Sequence, residues 1–555
     1  MKKQIMFHGQ FLTMETRMPR VEAVLIKDGN IEETGTLEEL QALCPDAVLR
    51  DMGGAVILPG FIDGHSHLTA VADSMALADL KPEAEDGRGT MEEIREKLKK
   101  KLEEMEEDGT ASPDTWVIGT GYDNSLLPGG AHPDRRLLDQ VSEKYPVAAV
   151  HVSGHICAVN TRGMEILGYT GEAFQVPEGG TADRNGLLKE NAFLAPEKQK
   201  KMMNGAGADR ISSIGRASEY YASFGITTAQ DARASVKDYE DLRAAGASGR
   251  LKCDVALYFP EKEAEKILPR TEPGQNPYQD MVRTAGCKMF LDGSPQGKTA
   301  WLSEPYYQVP PGEDRDYCGS PILGDDEVTG IMTRCIRNRW QINVHVNGDA
   351  AIEQMIRCFE KAAEAAGTGS PEKNPGAGLR PVAIHCQTVR KDQLERMAQD
   401  GIRISFFHDH VYYWGDYHRD SVLGPERASH ISPLSWADGY GIPFTLHQDS
   451  PVVPPNVLFA VHNAVNRRTS GGSLLGPEHR ISVERALRAV TLDAAAQLFE
   501  EDTKGSIRKG KRADFVVLDR NPLTVPAEEI RKIRILETIK NGETTYQSKK
   551  DCILR

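Results

Sequence analysis

Two histidines one residue apart, His65 and His67 in PGFIDGHSHL (59–68), directly follow the apolar run at 55–58. Along an extended strand, side chains at i and i+2 share a face, so both imidazoles can address one point at the strand's carboxyl end. That spacing suits a metal ion, although surface or hydrogen-bonded histidines also adopt it. Three further runs strengthen the metal reading: His345 in INVHVNGD (342–349), His385 in PVAIHCQT (381–388) and Asp449 in PFTLHQDS (443–450) each stand at the end of an apolar stretch. Four imidazoles and a carboxylate are ligands for zinc or a similar divalent ion, which lowers the pKa of bound water to about 7 and polarises a carbonyl. The chemistry implied is hydrolysis. Lys288, in CKMFLDGS (287–294), is ambiguous. A lysine in an apolar strand must pair, reach solvent or be modified, so an ion pair with Asp292 and a carbamylated lysine bridging two metals are both open readings.

Eight apolar runs with polar ends have to position these groups: the run before His65, then 225–232, 253–260, 287–294, 342–349, 381–388, 402–410 and 443–450. Helical stretches such as EVTGIMTRCIRNRW and AIEQMIRCFEKAAEAAG separate them. Alternating strands and helices imply parallel βα units, and eight of them imply an α/β chain closed as a (β/α)8 TIM-like barrel with its chemistry at the carboxyl rim. The gap between the first two runs is too long for one helix and two loops, so an inserted subdomain is expected at about 75–215. Within it, Met91, Ile94, Leu98, Leu102 and Met105 form an amphipathic helical stripe, read as packing on its own protein. Asp-Gly and Asn-Gly turns between short alternating strands occur near both ends, in AVLIKDGNIEETG, GSIRKGKRADFVVLDRNP and ILETIKNGETTY. The expected domains are therefore a small β-sandwich from 1–57 and 491–555, with the barrel at 58–490.

Composition narrows the function. The 555 residues carry 67 Lys plus Arg against 81 Asp plus Glu, a formal charge of -14, and no basic run able to track a phosphate backbone, so nucleic acid is not an expected partner. The nine cysteines include no CxxC pair, which fits reduced thiols and a cytoplasmic protein. No run approaches the roughly 18 apolar residues of a membrane span, and none of signal-peptide length follows the start. GSPQGKT (293–299) is not a phosphate loop, because only three residues separate its glycines and Pro295 removes an N–H donor.

The blocks PGFIDGHSHL, CKMFLDGS, VHVNGD, AIHCQ and TLHQDSPV, with the tail from ALRAVTLDAAAQLFEE to VVLDRNPL, resemble the amidohydrolase superfamily, in the amidohydrolase-3 branch that includes N-substituted formamide deformylase. The resemblance covers nearly the whole chain. It implies a metal-bearing barrel with a β-sandwich from both termini, a homodimer, and one or two divalent ions, most readily zinc. His65 and His67 would be first-strand ligands, Lys288 the fourth-strand lysine, His345 and His385 the fifth- and sixth-strand histidines, and Asp449 the eighth-strand aspartate. GTGYDNSLLPGG (119–130), HVSGHICAVNTRGMEILG (151–168) and GGTADRNGLLKENA (179–192) resemble substrate-facing loops, which makes Tyr122, Asp123, His151 and His155 candidate pocket residues. SFFHDHVYYWGD departs from the pattern with a second HxH, read as lying on the seventh strand; His408 is taken as structural and His410 as lining the pocket with Trp414. The expected activity is hydrolysis of a C–N, amide-type bond in a small molecule, with Asp449 taking the water proton and passing it to the departing amine. Cleavage of another bond (ester, carbamate or cyclic amide), deamination, and a barrel that only binds are the alternatives.

Overall fold

The computed structural model describes residues 3–548 apart from 76, 83–88, 108, 152–155, 172–173, 179, 204–209, 271, 311 and 368–377. The chain divides into two compact units, Met1–Ala70 with Ala217–Arg555, and Val71–Arg216.

The larger unit holds eight parallel strands: β1 (Phe61–Ile62), β2 (Ile226–Asp231), β3 (Asp254–Pro260), β4 (Val282–Phe290), β5 (Gln341–Val346), β6 (Val382–His385), β7 (Arg403–Phe406) and β8 (Phe444–Leu446). They lie side by side in chain order, each parallel to its neighbours. The strands are almost wholly buried, as expected of a parallel sheet covered by helices such as Asp325–Asn338 and Asp349–Ala365. The sheet curls until its first and last strands meet. A Cβ on Gly64 would stand 2.6 Å from Thr445 Oγ1, so glycine is required at that approach. Gln497 spans the seam, donating to the Gly64 carbonyl at 2.8 Å and accepting from the Thr445 hydroxyl at 2.8 Å. This is the TIM-like barrel.

Both chain ends build the sandwich. A four-stranded sheet comes from residues 3–51, and a six-stranded sheet joins Gln10–Leu12, Arg20–Val21 and Val56–Pro59 to Phe515–Leu518, Ile535–Lys540 and Glu543–Gln547. The joint is the antiparallel pairing of Val56–Pro59 with Phe515–Leu518, and Phe11, Ile57, Phe515 and Ile539 pack in the core between the sheets. The turns fall where the sequence places them: Asp28 and Gly29, then Asn541 and Gly542, all have positive φ. GSIR (505–508) is not a strand. Phe515–Leu518 is the strand of that C-terminal stretch before Ile535, and Arg512 adds a single antiparallel bridge to Asn30.

The unit at Val71–Arg216 follows the first barrel strand as an insertion. Its sheet has six strands, among them Val117–Tyr122, Val147–His151 and Ile156–Val159. The helix Met91–Glu107 buries Ile94, Leu98 and Leu102 in the same core as Val117, Val147 and Ala158, so its apolar stripe packs on its own unit. None of the described helices is long and apolar enough to cross a membrane, and the eight described cysteines are free thiols.

Candidate metal centre

The rim groups meet at Asp449. Its Oδ1 lies 3.3 Å from His67 Nε2 and 3.6 Å from His65 Nε2, and its Oδ2 lies 4.0 Å from His385 Nε2. His65 and His67 stand just beyond the short strand β1, their ring centroids 5.3 Å apart. His345, from β5, places Nδ1 3.0 Å from His385 Nε2. Lys288, from β4, places Nζ 3.1 Å from His65 Nε2 and 4.9 Å from the Phe290 ring centroid. Lys288 is therefore not the partner of Asp292. That carboxylate instead accepts from the backbone N–H groups of Trp301, Asn347 and Gly348.

The chain turns sharply to aim these groups. His385, Cys386 and Asp449 have φ of 70°, 47° and 54°, a left-handed conformation that non-glycine residues adopt only under constraint. Outer contacts hold the rings in turn. His345 Nε2 faces the Gly293 carbonyl at 3.2 Å, and a proton there leaves Nδ1 as a lone pair toward His385.

His447 is a further candidate ligand outside the set expected from the sequence, although it opens HQD (447–449) with the same i, i+2 spacing as HSH. Its Nε2 lies 3.1 Å from His385 Nδ1, and its Nδ1 lies 2.8 Å from Ser405 Oγ. His65, His67 and Asp449 form one group able to hold an ion, and His385, His447 and Asp449 form another sharing the same carboxylate.

Burial sets the protonation states. It pushes His65 and His385 well below 6.5, with Lys288 and the neighbouring imidazoles adding to it. Burial likewise takes His345 down to about 4 and His447 to about 3. The Lys288 amine falls to about 7 for the same reason, against the pull of Asp449. Burial opposes the Asp449 carboxylate, but His67, His447 and Lys288 around it hold its pKa to about 2. His65, His345, His385 and His447 are thus neutral imidazoles with lone pairs to offer beside one carboxylate anion, the donor set a divalent cation takes. His65 Nδ1 is buried with no hydrogen-bond partner among the described residues. The residues fit a metal.

The expected pocket residues divide. Tyr122, Asp123 and His151 gather in the inserted unit with His132, which the sequence reading passed over: Tyr122 Oη lies 3.0 Å from His132 Nδ1, and His151 Nε2 lies 3.8 Å from Asp123 Oδ1. His155 is outside the described residues. The second HxH is not on the seventh strand. Strand β7 ends at Phe406, and His410 opens the helix His410–Tyr417, so the pair lacks the shared face a strand would give it. His408 is fully buried. His410 packs on Phe407, on Trp414 four residues along the helix, and beside His385, at centroid distances of 4.2, 5.4 and 6.4 Å.

Comparison with known proteins agrees with this architecture. The chain is 25% identical to the protein YtcJ of Bacillus subtilis over 98% of its own length and 99% of that protein's. It is 24% identical to the N-substituted formamide deformylase of Arthrobacter pascens over 99% of each. A solved structure titled as an uncharacterized metal-dependent hydrolase from Pyrococcus horikoshii superposes with a TM-score of 0.74 at 22% identity, covering 95% of this chain and 99% of that one. At that identity the likeness is one of fold. The amidohydrolase family matches residues 49–546, which hold the whole barrel and the C-terminal share of the sandwich, and the chain belongs to that family.

Proposed function

We propose that this chain is a divalent-metal-dependent hydrolase that cleaves a C–N, amide-type bond in a small molecule. The observation that carries the reading is the position of Asp449, one carboxylate within 3.3–4.0 Å of imidazoles from both sides of the rim. His65, His67, His345, His385, His447 and Asp449 would hold the ion or ions. When bound, a divalent cation of the zinc class supplies Lewis acidity, bringing a water pKa toward 7 and polarising a carbonyl. Asp449 accepts the proton of the attacking water on a carboxylate oxygen and returns it to the departing nitrogen, since amines leave poorly unless protonated. Its low pKa keeps the carboxylate ionised and ready for the first of these transfers. The neutral imidazoles keep their lone pairs for the ion and so do not compete for the proton. Lys288, one hydrogen-bond length from His65, is the residue placed to become a ligand after carbamylation. The relative that is a formamide deformylase supports an amide-type bond.

The test is a panel of N-substituted formamides, other amides, esters and aminated rings, with release of amine, acid and ammonia measured separately. Amine or ammonia release from the amides, lost in Asp449→Asn while metal content persists, is the expected result. A fully active Asn variant would sink the role given to Asp449, and turnover of esters alone would sink the C–N assignment. Metal content measured with and without bicarbonate during expression tests Lys288: a rise toward two ions per chain is expected of a carbamylated bridge.

A further inference from the structure

A second set of metal-ligating side chains lies in the loops that follow β7 and β8. His430 follows the helix Gly424–Ser429, and Glu478 and His479 belong to the single turn Pro477–His479. His430 Nδ1 faces His479 Nε2 at 2.9 Å, and Glu478 Oε1 lies 3.7 Å from the first and 3.8 Å from the second. The carboxylate is too far from either ring to hydrogen-bond, and two imidazole nitrogens facing each other share a single proton. Three donor atoms therefore converge on a space that one proton serves poorly.

The backbone brings them together in a fixed way. Gly476 has φ of 58°, and a Cβ there would come within 1.8 Å of the Ser429 carbonyl, so only glycine lets the Pro477 turn lie against the residue before His430. The buried Arg467 guanidinium ties the same two loops, donating to the carbonyls of Ile431, Ser432 and Leu475 at 2.9, 3.0 and 2.8 Å. His479 is fully buried, with Nδ1 3.0 Å from Ser435 Oγ. A proton on Nδ1 donated to Ser435 leaves the Nε2 lone pair aimed at the cluster, the outer-partner arrangement of ligating histidines. Burial, followed by Arg467, also takes His479 down to about 4, which keeps the ring in its ligand form at neutral pH. Trp436 stacks on His430 at 4.9 Å and meets His479 edge-on at 4.7 Å, closing one side.

We infer that His430, Glu478 and His479 form a second divalent-cation site, of zinc class by its two imidazoles and one carboxylate, which clips the loop after β7 to the loop after β8. Tetrahedral zinc with bonds of about 2.0–2.2 Å sets its donors roughly 3.3 Å apart, between the 2.9 Å and 3.7–3.8 Å seen here. His430 and Glu478 are the partly exposed members, 42% and 52% by side chain, so they make that small adjustment while His479 stays fixed. Water completes the coordination from the exposed side.

Full-length protein, chelator-treated and then equilibrated with buffered micromolar zinc, is compared with His430→Ala and Glu478→Gln. Both substitutions are at exposed side chains outside the Asp449 centre, so hydrolytic activity reports that each variant is folded and its rim intact. The wild type is expected to hold about one more zinc per chain than either variant and to gain more Tm with free zinc than they do, since all three keep the Asp449 centre. Zinc-edge anomalous scattering from crystals should peak between the three side chains. Equal metal content and equal Tm response in the three proteins, or no anomalous peak, would overturn the site.

Discussion

The two ends of the barrel bury polar groups in opposite ways. At the foot, Asp254 opens β3 and accepts from Lys504 and Lys540, each at 2.7 Å. Lys540 also reaches Asp514 at 2.7 Å, Lys504 reaches Glu500 at 2.9 Å, and Arg283 of β4 lies 3.2 Å from Glu500. Three carboxylates face three cations in a buried lattice that joins barrel strands to the C-terminal sandwich. At the rim, five imidazoles and Lys288 surround the single carboxylate of Asp449, and burial drives those of His65, His345, His385 and His447 far below their ordinary pKa. Paired charges satisfy the foot from within the chain. The rim is a cluster of lone pairs short of cations, an arrangement that stabilises nothing by itself and makes sense when an ion and a substrate complete it.

Removing one group from each end breaks that comparison most sharply. Asp449→Asn keeps the shape and removes the proton carrier, so turnover should fall about 10²–10⁴-fold while the imidazoles retain most of the metal and Tm falls little. Lys504→Met should do the reverse. It leaves Asp254 and Glu500 short of a buried counter-charge, and breaking such a network costs about 3–5 kcal/mol, read as a lower denaturant midpoint with kcat per folded molecule preserved. If the two variants lose activity and stability in the same proportion, the division between the ends fails.

The pH dependence sharpens the foot further. Burial opposes the Asp254 carboxylate, but Lys504 and Lys540 bring its pKa from 3.8 to about 2. A carboxyl held below its ordinary value stabilises the fold fully above that value and loses the contribution as pH falls toward the lowered one. Urea midpoints of the wild type should therefore drop between about pH 4 and pH 2, and Asp254→Asn, already weakened, should show a shallower slope there. Parallel slopes would mean the acid sensitivity lies elsewhere in the chain.

The barrel was legible because each parallel strand, buried on both faces, is a short apolar run and most end in a polar residue; that pattern located His65, His67, Lys288, His345, His385 and Asp449 before any geometry was known. What it could not give is where a strand stops. SFFHDH contains an HxH on paper, yet the hydrogen-bonded ladder ends at Phe406 and the chain turns into a helix at His410, so the i, i+2 argument does not apply. His447 shows the converse: the i, i+2 spacing to Asp449 is plain in HQD, but only the structure brings its Nε2 to His385 and makes it a candidate ligand. The Tyr122 cluster needed tertiary structure, since His132 and His151 come from separate segments of the insertion and no local periodicity links them.

That cluster supplies the smallest and most discriminating test. Tyr122 Oη and His132 Nδ1 are 3.0 Å apart, and a neutral hydrogen bond of this kind contributes about 1 kcal/mol. Tyr122→Phe removes it without changing the ring, whose edge-on contact with His151 persists. A group that only braces the insertion would lower stability by that amount and leave kinetics alone. A group that also meets substrate would raise KM, and a loss of about 1 kcal/mol corresponds to roughly a fivefold fall in kcat/KM at nearly constant kcat. The family resemblance that makes Tyr122 a pocket residue predicts the KM effect. Unchanged KM with a lower Tm would instead confine the cluster to holding its own unit together, and would leave substrate selection to the rim side chains around His410 and Trp414.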